Sequence, residues 1–94
     1  TLVEFKESVQ QSAPPLTLSI LLQALWYDAK GQWDTAHQLA QEVETLQGCW
    51  IHAYLHRKEG DLGNAAYWYH KAKQPVCNKP LSEEWEEIVI ALLR

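Results

Sequence analysis

A chain of 94 residues with a formal net charge of -4 and an isoelectric point near 5.4 is long enough for one small hydrophobic core and carries no basic field to draw phosphate backbones or anionic lipids. Nucleic-acid and membrane-surface roles are therefore set aside, and no apolar run nears the ~18 residues of a bilayer span. The hydrophobic fraction is 47%, with 5 Trp and 4 Tyr but only 1 Phe, which supplies enough apolar area for folding to outweigh disorder.

The first predicted element is a short helix on which Leu2, Val3, Phe5 and Val9 lean to one side, ended by Ser12-Ala13-Pro14-Pro15 because paired prolines cannot continue it. Thr17 is the predicted cap of a second helix running to about Ala29, with Ile20, Leu21, Ala24, Leu25 and Tyr27 or Asp28 as its buried stripe. Gly31 stops that helix. Gln32 or Asp34 begins a return helix whose Ala36, Leu39, Ala40, Val43 and Leu46 face inward until Gly48 closes it in a left-handed conformation.

A broadly apolar helix from about Cys49 to Glu59 is expected to lie between neighbours. Gly60-Asp61 then reverses the chain into a helix that Asp61 caps and that reaches Ala72, with Tyr69 in the core. Residues 74–81, with Pro75, Asn78 and Pro80, form a surface connector. Ser82 is the predicted cap of a last helix with Trp85, Ile88, Val89 and Leu92 on its apolar face, and Glu83, Glu84, Glu86 and Glu87 solvated near its positive end. No strand-like alternation appears. The expectation is an all-α domain over 1–94, with five or six helices in antiparallel hairpins at 16–47 and 49–73 and a capping helix at 82–94.

Two stretches share a pattern: Ala24, Gly31, Trp33 and Ala36 against Ala53, Gly60, Leu62 and Ala65, with Ala72 completing the second. In this the chain resembles tetratricopeptide repeats, a resemblance that implies close interhelix contact at the alanines, turns at the glycines, hairpin wedges at Trp33 and Leu62, and a scaffold whose function lies in what its surface holds. The block from Trp50 to Arg57, continuing into Glu59-Gly60-Asp61 and Asn64 to Tyr69, is also similar to a small family of hypothetical proteins with no assigned activity. That likeness implies a fold and no chemistry.

Cys49, His52, His56 and Glu59 follow one another at intervals of three, four and three residues and so share one helix face. Zinc accepts thiolate, imidazole and carboxylate, which makes this face, with His70 from the following helix, a candidate metal site. Cys49 beside a histidine base is the one arrangement that suggests a nucleophile, but nothing prepares an oxyanion site, so no reaction is assigned and the chain reads more as a binder than as an enzyme. Trp50, Tyr67 and Trp68, with polar contacts from His56, Arg57 and Asn64, form a candidate surface for a protein or peptide. An interaction module without a cofactor is the leading functional expectation, a zinc or small-molecule site the alternative, and closure of the aromatic face by a second copy of the chain a third arrangement.

Cys49 and Cys77 make no disulfide framework, and no signal peptide is visible; a reducing cytoplasm is the expected location. With no Met anywhere in the chain, Thr1 reads as a processed or trimmed end.

Overall fold

A computed structural model describes all of residues 1–94. The chain is all-helical: α1 (Leu2–Ser8), α2 (Ile20–Ala29), α3 (Trp33–Gln41), α4 (Leu46–Lys58), α5 (Leu62–Ala72) and α6 (Leu81–Leu93). α4 is the central helix, packed against α2, α3, α5 and α6, while α1 lies on α6. Leu21, Leu22, Leu25 and Trp26 of α2 meet Ile51, Tyr54 and Leu55 of α4 and Trp85, Ile88 and Val89 of α6 in one core, closed at one end by Phe5.

Two turns of the same design build the hairpins. Gly31 at φ +79° and Gly60 at φ +89° take left-handed conformations that a Cβ would strain. In each turn the amide that follows the glycine donates back across the helix end, Gln32 N–H to the Tyr27 carbonyl at 2.9 Å and Asp61 N–H to the His56 carbonyl at 2.9 Å. This is the Schellman closure, which satisfies carbonyls that the helix leaves orphaned. Ala24, Ala36, Ala40, Ala53, Ala65 and Ala72 are all buried, and side chains this short let neighbouring helix backbones approach closely.

Indole groups add a second kind of fastening. Trp26 Nε1–H donates to the Ser8 carbonyl (3.1 Å), Trp85 to that of Leu25 (3.1 Å) and Trp33 to that of Leu55 (2.8 Å). Each bond joins elements distant in sequence and lets a large ring be buried with its one polar group satisfied. Asp28, also buried, accepts from Tyr54 Oη (2.7 Å) and from Lys58 Nζ (2.8 Å).

The helix ends differ from expectation in four places. Ser19, not Thr17, caps α2 by accepting from the Leu22 amide; the turn that follows the paired prolines runs on to Leu18, whose amide donates to the Pro15 carbonyl. Pro80, not Ser82, is the N-cap of α6, because its carbonyl already accepts from the Glu83 and Glu84 amides. α3 stops at Gln41, and α4 starts at Leu46 under a Thr45 cap, so Leu46 belongs to the next helix and is 52% exposed instead of facing inward. Leu62, the expected wedge, is 66% exposed in the first turn of α5.

Gly48 has a different task from the one its position suggests. It does not close α3 but lies inside α4, where a Cβ would sit 2.1 Å from the Val43 carbonyl oxygen. The glycine is needed because the connector backbone presses against the helix. Gly48→Ala is expected to destabilise the fold by about 2 kcal/mol despite the higher helix propensity of alanine, since backbone must shift to admit the methyl group. Urea unfolding measures this directly, and a change within about 0.5 kcal/mol of zero contradicts the close approach.

The glutamates at the start of α6 are not uniformly solvated. Glu84 is 1% exposed. Its carboxylate accepts from Arg57 Nη1 (2.7 Å), Trp50 Nε1 (3.2 Å) and Tyr69 Oη (2.7 and 2.8 Å to its two oxygens). Arg57 also donates to the Lys79 carbonyl. Burial first, then the bond to Glu84, holds the Tyr69 phenol well above the usual tyrosine range, so it stays a donor. This node joins α4, α5, α6 and the connector before it.

Candidate functional site

The imidazoles of α4 do meet a third histidine, but it comes from α3. Along α3, Trp33, Ala36, His37 and Ala40 follow the three-and-four spacing of one helix face, and the Gly31 hairpin delivers that face to α4. His37 and His52 approach with Nε2 to Nε2 at 2.8 Å. One ring nitrogen from each of His37, His52 and His56 lies within 4.8 Å of the other two. Four-coordinate zinc, at ~2.0–2.1 Å from each nitrogen, needs neighbouring ligands roughly 3.3 Å apart. The His37–His52 approach is shorter than that value, and the other pairs lie within 4.8 Å, so small ring rotations separate the group from a ligand set.

The rings are held by stacking. His52 lies between Trp68 (centroids 3.9 Å, planes at 16°) and His56 (4.8 Å, 25°). His37 stacks on Trp33 (4.8 Å, 11°) and meets both α4 imidazoles edge-on. Trp33 is itself anchored by its bond to the Leu55 carbonyl, so the ring on which His37 stacks is fixed independently of the histidines.

Hydrogen bonding assigns the tautomer of His56. Its Nδ1 lies 2.6 Å from Glu59 Oε2; a carboxylate oxygen accepts, so Nδ1–H donates, and in the neutral form of the ring Nε2 is the acceptor. Asn64 Nδ2 stands 3.4 Å from that Nε2, placed to donate. A carboxylate behind one nitrogen of an imidazole raises the basicity of the other and orients the ring, which is the arrangement that supports metal-binding histidines. Between His37 and His52 the 2.8 Å approach of two ring nitrogens is a hydrogen bond in which one imidazole donates to the other.

Electrostatics keep two of the three rings neutral. Burial, and then the neighbouring imidazoles His37 and His56, push the His52 ring down to about 4. His37 is lowered by burial and then by His56, with Glu59 and Asp34 acting in the opposite direction. Neutral imidazole is the ligating form, so at pH 7 these two rings need not release a proton to bind a metal.

The other residues singled out in the sequence fall into three places. Cys49 lies one turn before His52 and lines a cleft with it, but is outside the three-histidine group. His70 is exposed; two positions beyond Trp68, it is turned roughly 200° around α5 from the ring that stacks on His52. Glu59 contributes as the acceptor behind His56, and the exposed Glu59 and Asp61 form with the buried His56 a second cluster of ligand atoms within 4.8 Å of one another.

Of the proposed partner-binding residues, Trp50 and Arg57 are turned away from this face and bonded to Glu84. His56 is buried and Trp68 covers His52. Asn64 and Tyr67 are exposed, Tyr67 at 55%. The aromatic residues therefore do not make one continuous surface. The apolar members of the inward stripe of α3 do not reveal His37 by themselves, although the residue one turn beyond Trp33 shares that stripe.

No family model, curated protein or solved structure matches this chain. No helix is long and apolar enough to cross a membrane.

Proposed function

We propose that this protein is a helical metal-binding domain that holds a divalent transition-metal ion, zinc foremost, on His37, His52 and His56. The observation that carries the reading is the convergence of three imidazole nitrogens from two helices within 4.8 Å, with Glu59 bonded behind one of them. Packed histidines in a helix interface need no such convergence. Zinc on three nitrogens retains a fourth position for water or a ligand, where it would act as a Lewis acid. The protein's part is to keep His37 and His52 neutral and to orient all three rings.

Equilibrium dialysis against zinc, followed by metal analysis, tests the assignment. The native chain is expected to retain one ion per molecule. His37→Ala and His52→Ala are expected to weaken binding by at least about 100-fold, and Glu59→Gln by about 10- to 100-fold. Equal retention by His37→Ala and the native chain would reject the site, as would failure of the native chain to retain zinc at all.

A protein- or peptide-binding face is a second reading, now confined to one edge of α5. Tyr67 is exposed there with Lys71 Nζ 5.5 Å from its ring centroid, a combination suited to polar and aromatic partner contacts. The two glycine-turn hairpins with buried alanines support a tetratricopeptide-like arrangement as part of that reading. The free thiols Cys49 and Cys77 fit a reducing compartment such as the cytoplasm.

A further inference from the structure

α3 and α5 flank α4 on two sides without contact between them. Rings from both helices cover His52 and His56 on the α4 face between them. Toward the start of α4, beside Cys49 and His52, lies a cleft of about 630 Å³, bounded by the end of α3, the first turns of α4, and Trp68 and Lys71 of α5. His52 is common to the cleft and to the three-histidine group.

We propose that this cleft binds a small organic carboxylate with a short apolar body, its acid group drawn both to the cation on the histidines and to the Lys71 ammonium. The inference rests on the metal-binding reading and adds the class of ligand. Three observations select that chemistry. Ala40, Val43, Leu46 and the Trp68 ring give the cleft apolar walls, and an indole is a stacking surface for an aromatic or aliphatic body. Lys71 forms no ion pair with any carboxylate of the chain, and its Nζ stands 5.2 Å from the Trp68 centroid, beside that same wall.

The third observation is the charge balance. Glu44 and Lys71 are the only formally charged residues lining the cleft, and they cancel. Without a metal the lining therefore carries no net formal charge; a divalent ion beside His52 tips it positive. Binding of the carboxylate is thus coupled to the metal, and a single negative charge meets one lysine and one cation without a second charge left over to oppose Glu44.

Isothermal titration of benzoate into zinc-loaded protein, metal-free protein and zinc-loaded Lys71→Met tests this. Expected are saturable 1:1 binding to the loaded native chain, at least tenfold weaker binding without zinc, and at least tenfold weaker binding in Lys71→Met at unchanged zinc content. Acetate, which has the acid group but almost no apolar body, is expected to bind at least tenfold more weakly than benzoate. If the native chain holds one zinc and ignores benzoate, or if metal-free and loaded protein bind it equally, the carboxylate site is wrong while the metal site stands. If the chain retains no zinc, the metal reading fails first and this inference falls with it. Lys71 is exposed, so its replacement leaves the fold intact, and an unchanged helical circular-dichroism signal verifies that.

Discussion

Glu84→Ala is expected to lower the unfolding free energy by about 3–5 kcal/mol, a large part of the ~5–15 kcal/mol that holds a typical domain together. The wild-type carboxylate serves Arg57, Tyr69 and Trp50 at once. Alanine leaves a guanidinium, a phenol and an indole N–H facing a cavity that none of the three can fill. The loss therefore combines a vacated volume with unsatisfied donors, and the second part dominates because a largely buried guanidinium without its partner keeps most of its desolvation cost.

The melting midpoint should fall by at least about 12 °C, taking roughly 4 °C per kcal/mol for a chain of this size. Glu84→Gln keeps the shape and an acceptor oxygen but opposes one amide N–H to the guanidinium. It should cost less than alanine and more than nothing. Urea and thermal unfolding of both variants decide the matter, and a Glu84→Ala midpoint within about 4 °C of the native chain would show that the node contributes little.

The second large effect is on the acid side of the pH scale and concerns the metal-free protein. An unperturbed histidine titrates near 6.5, whereas the folded His52 ring is held down to about 4. Above pH 6.5 folded and unfolded chains both carry the ring neutral, and stability is undiminished. As pH falls below 6.5 the unfolded chain takes up a proton that the folded chain refuses. Stability then drops by up to about 1.4 kcal/mol per unit toward pH 4, a total of about 3.5 kcal/mol, and levels off once the folded ring also protonates. His37, lowered for the same first reason, adds loss of the same sign.

Carboxylates that titrate below pH 5 would blur a single curve, so the measurement is a difference. His52→Phe retains a ring in the stack between Trp68 and His56 but cannot protonate. Denaturant midpoints of both proteins, taken with a chelator present from pH 7.5 to 4, should converge toward acid, the native chain losing stability faster between 6.5 and 4. Parallel curves would show that burial does not restrain the His52 proton. Saturating zinc should stabilise the native chain at pH 7.5, by about 2.7 kcal/mol at 100 times its dissociation constant, and that gain should vanish as protons compete for the same nitrogens.

Much of the helical order was legible because it is local. Gly31 and Gly60 announce turns by lacking a Cβ where φ must be positive, and Asp61 announces a cap by carrying an acceptor one residue before a helix. The centrality of α4 could be read from Ile51, Ala53, Tyr54 and Leu55, too many apolar neighbours for a single stripe. The boundary between α3 and α4 was not legible. Gly48 satisfies two different rules, one for a left-handed helix end and one for a close backbone approach, and only the position of the Val43 carbonyl distinguishes them. Glu84 was misread for a related reason. Near a helix N-terminus a glutamate is favourable in water, and the attraction that takes it inside comes from Arg57, Tyr69 and Trp50, residues 27, 15 and 34 positions away.

The candidate site divides in the same way. His52, His56 and Glu59 share a face by helical spacing alone, and the structure keeps them together. His37 belongs with them only because a hairpin closes, so its signal was positional: it lies on the Trp33–Ala40 stripe, where an apolar residue would ordinarily stand. Cys49 shares the α4 face and remains at its edge. His70 looked equivalent to His37 in composition but points elsewhere, since direction around α5 is set by Trp68 and Tyr69.

The node at Glu84 also carries information as well as energy. An α6 whose inner face was only Trp85, Ile88, Val89 and Leu92 could slide by one turn along the hairpin at modest cost, because aliphatic surfaces accept one another in several registers. Such a slip would place Pro80 or Ile88 opposite Arg57, four residues to either side of Glu84. Neither can receive a hydrogen bond from a guanidinium through its side chain. Of the packings that bury similar hydrocarbon, one alone gives all three donors an acceptor. The carboxylate thereby favours a single address for the last helix, the register-setting role in which buried charge is best attested.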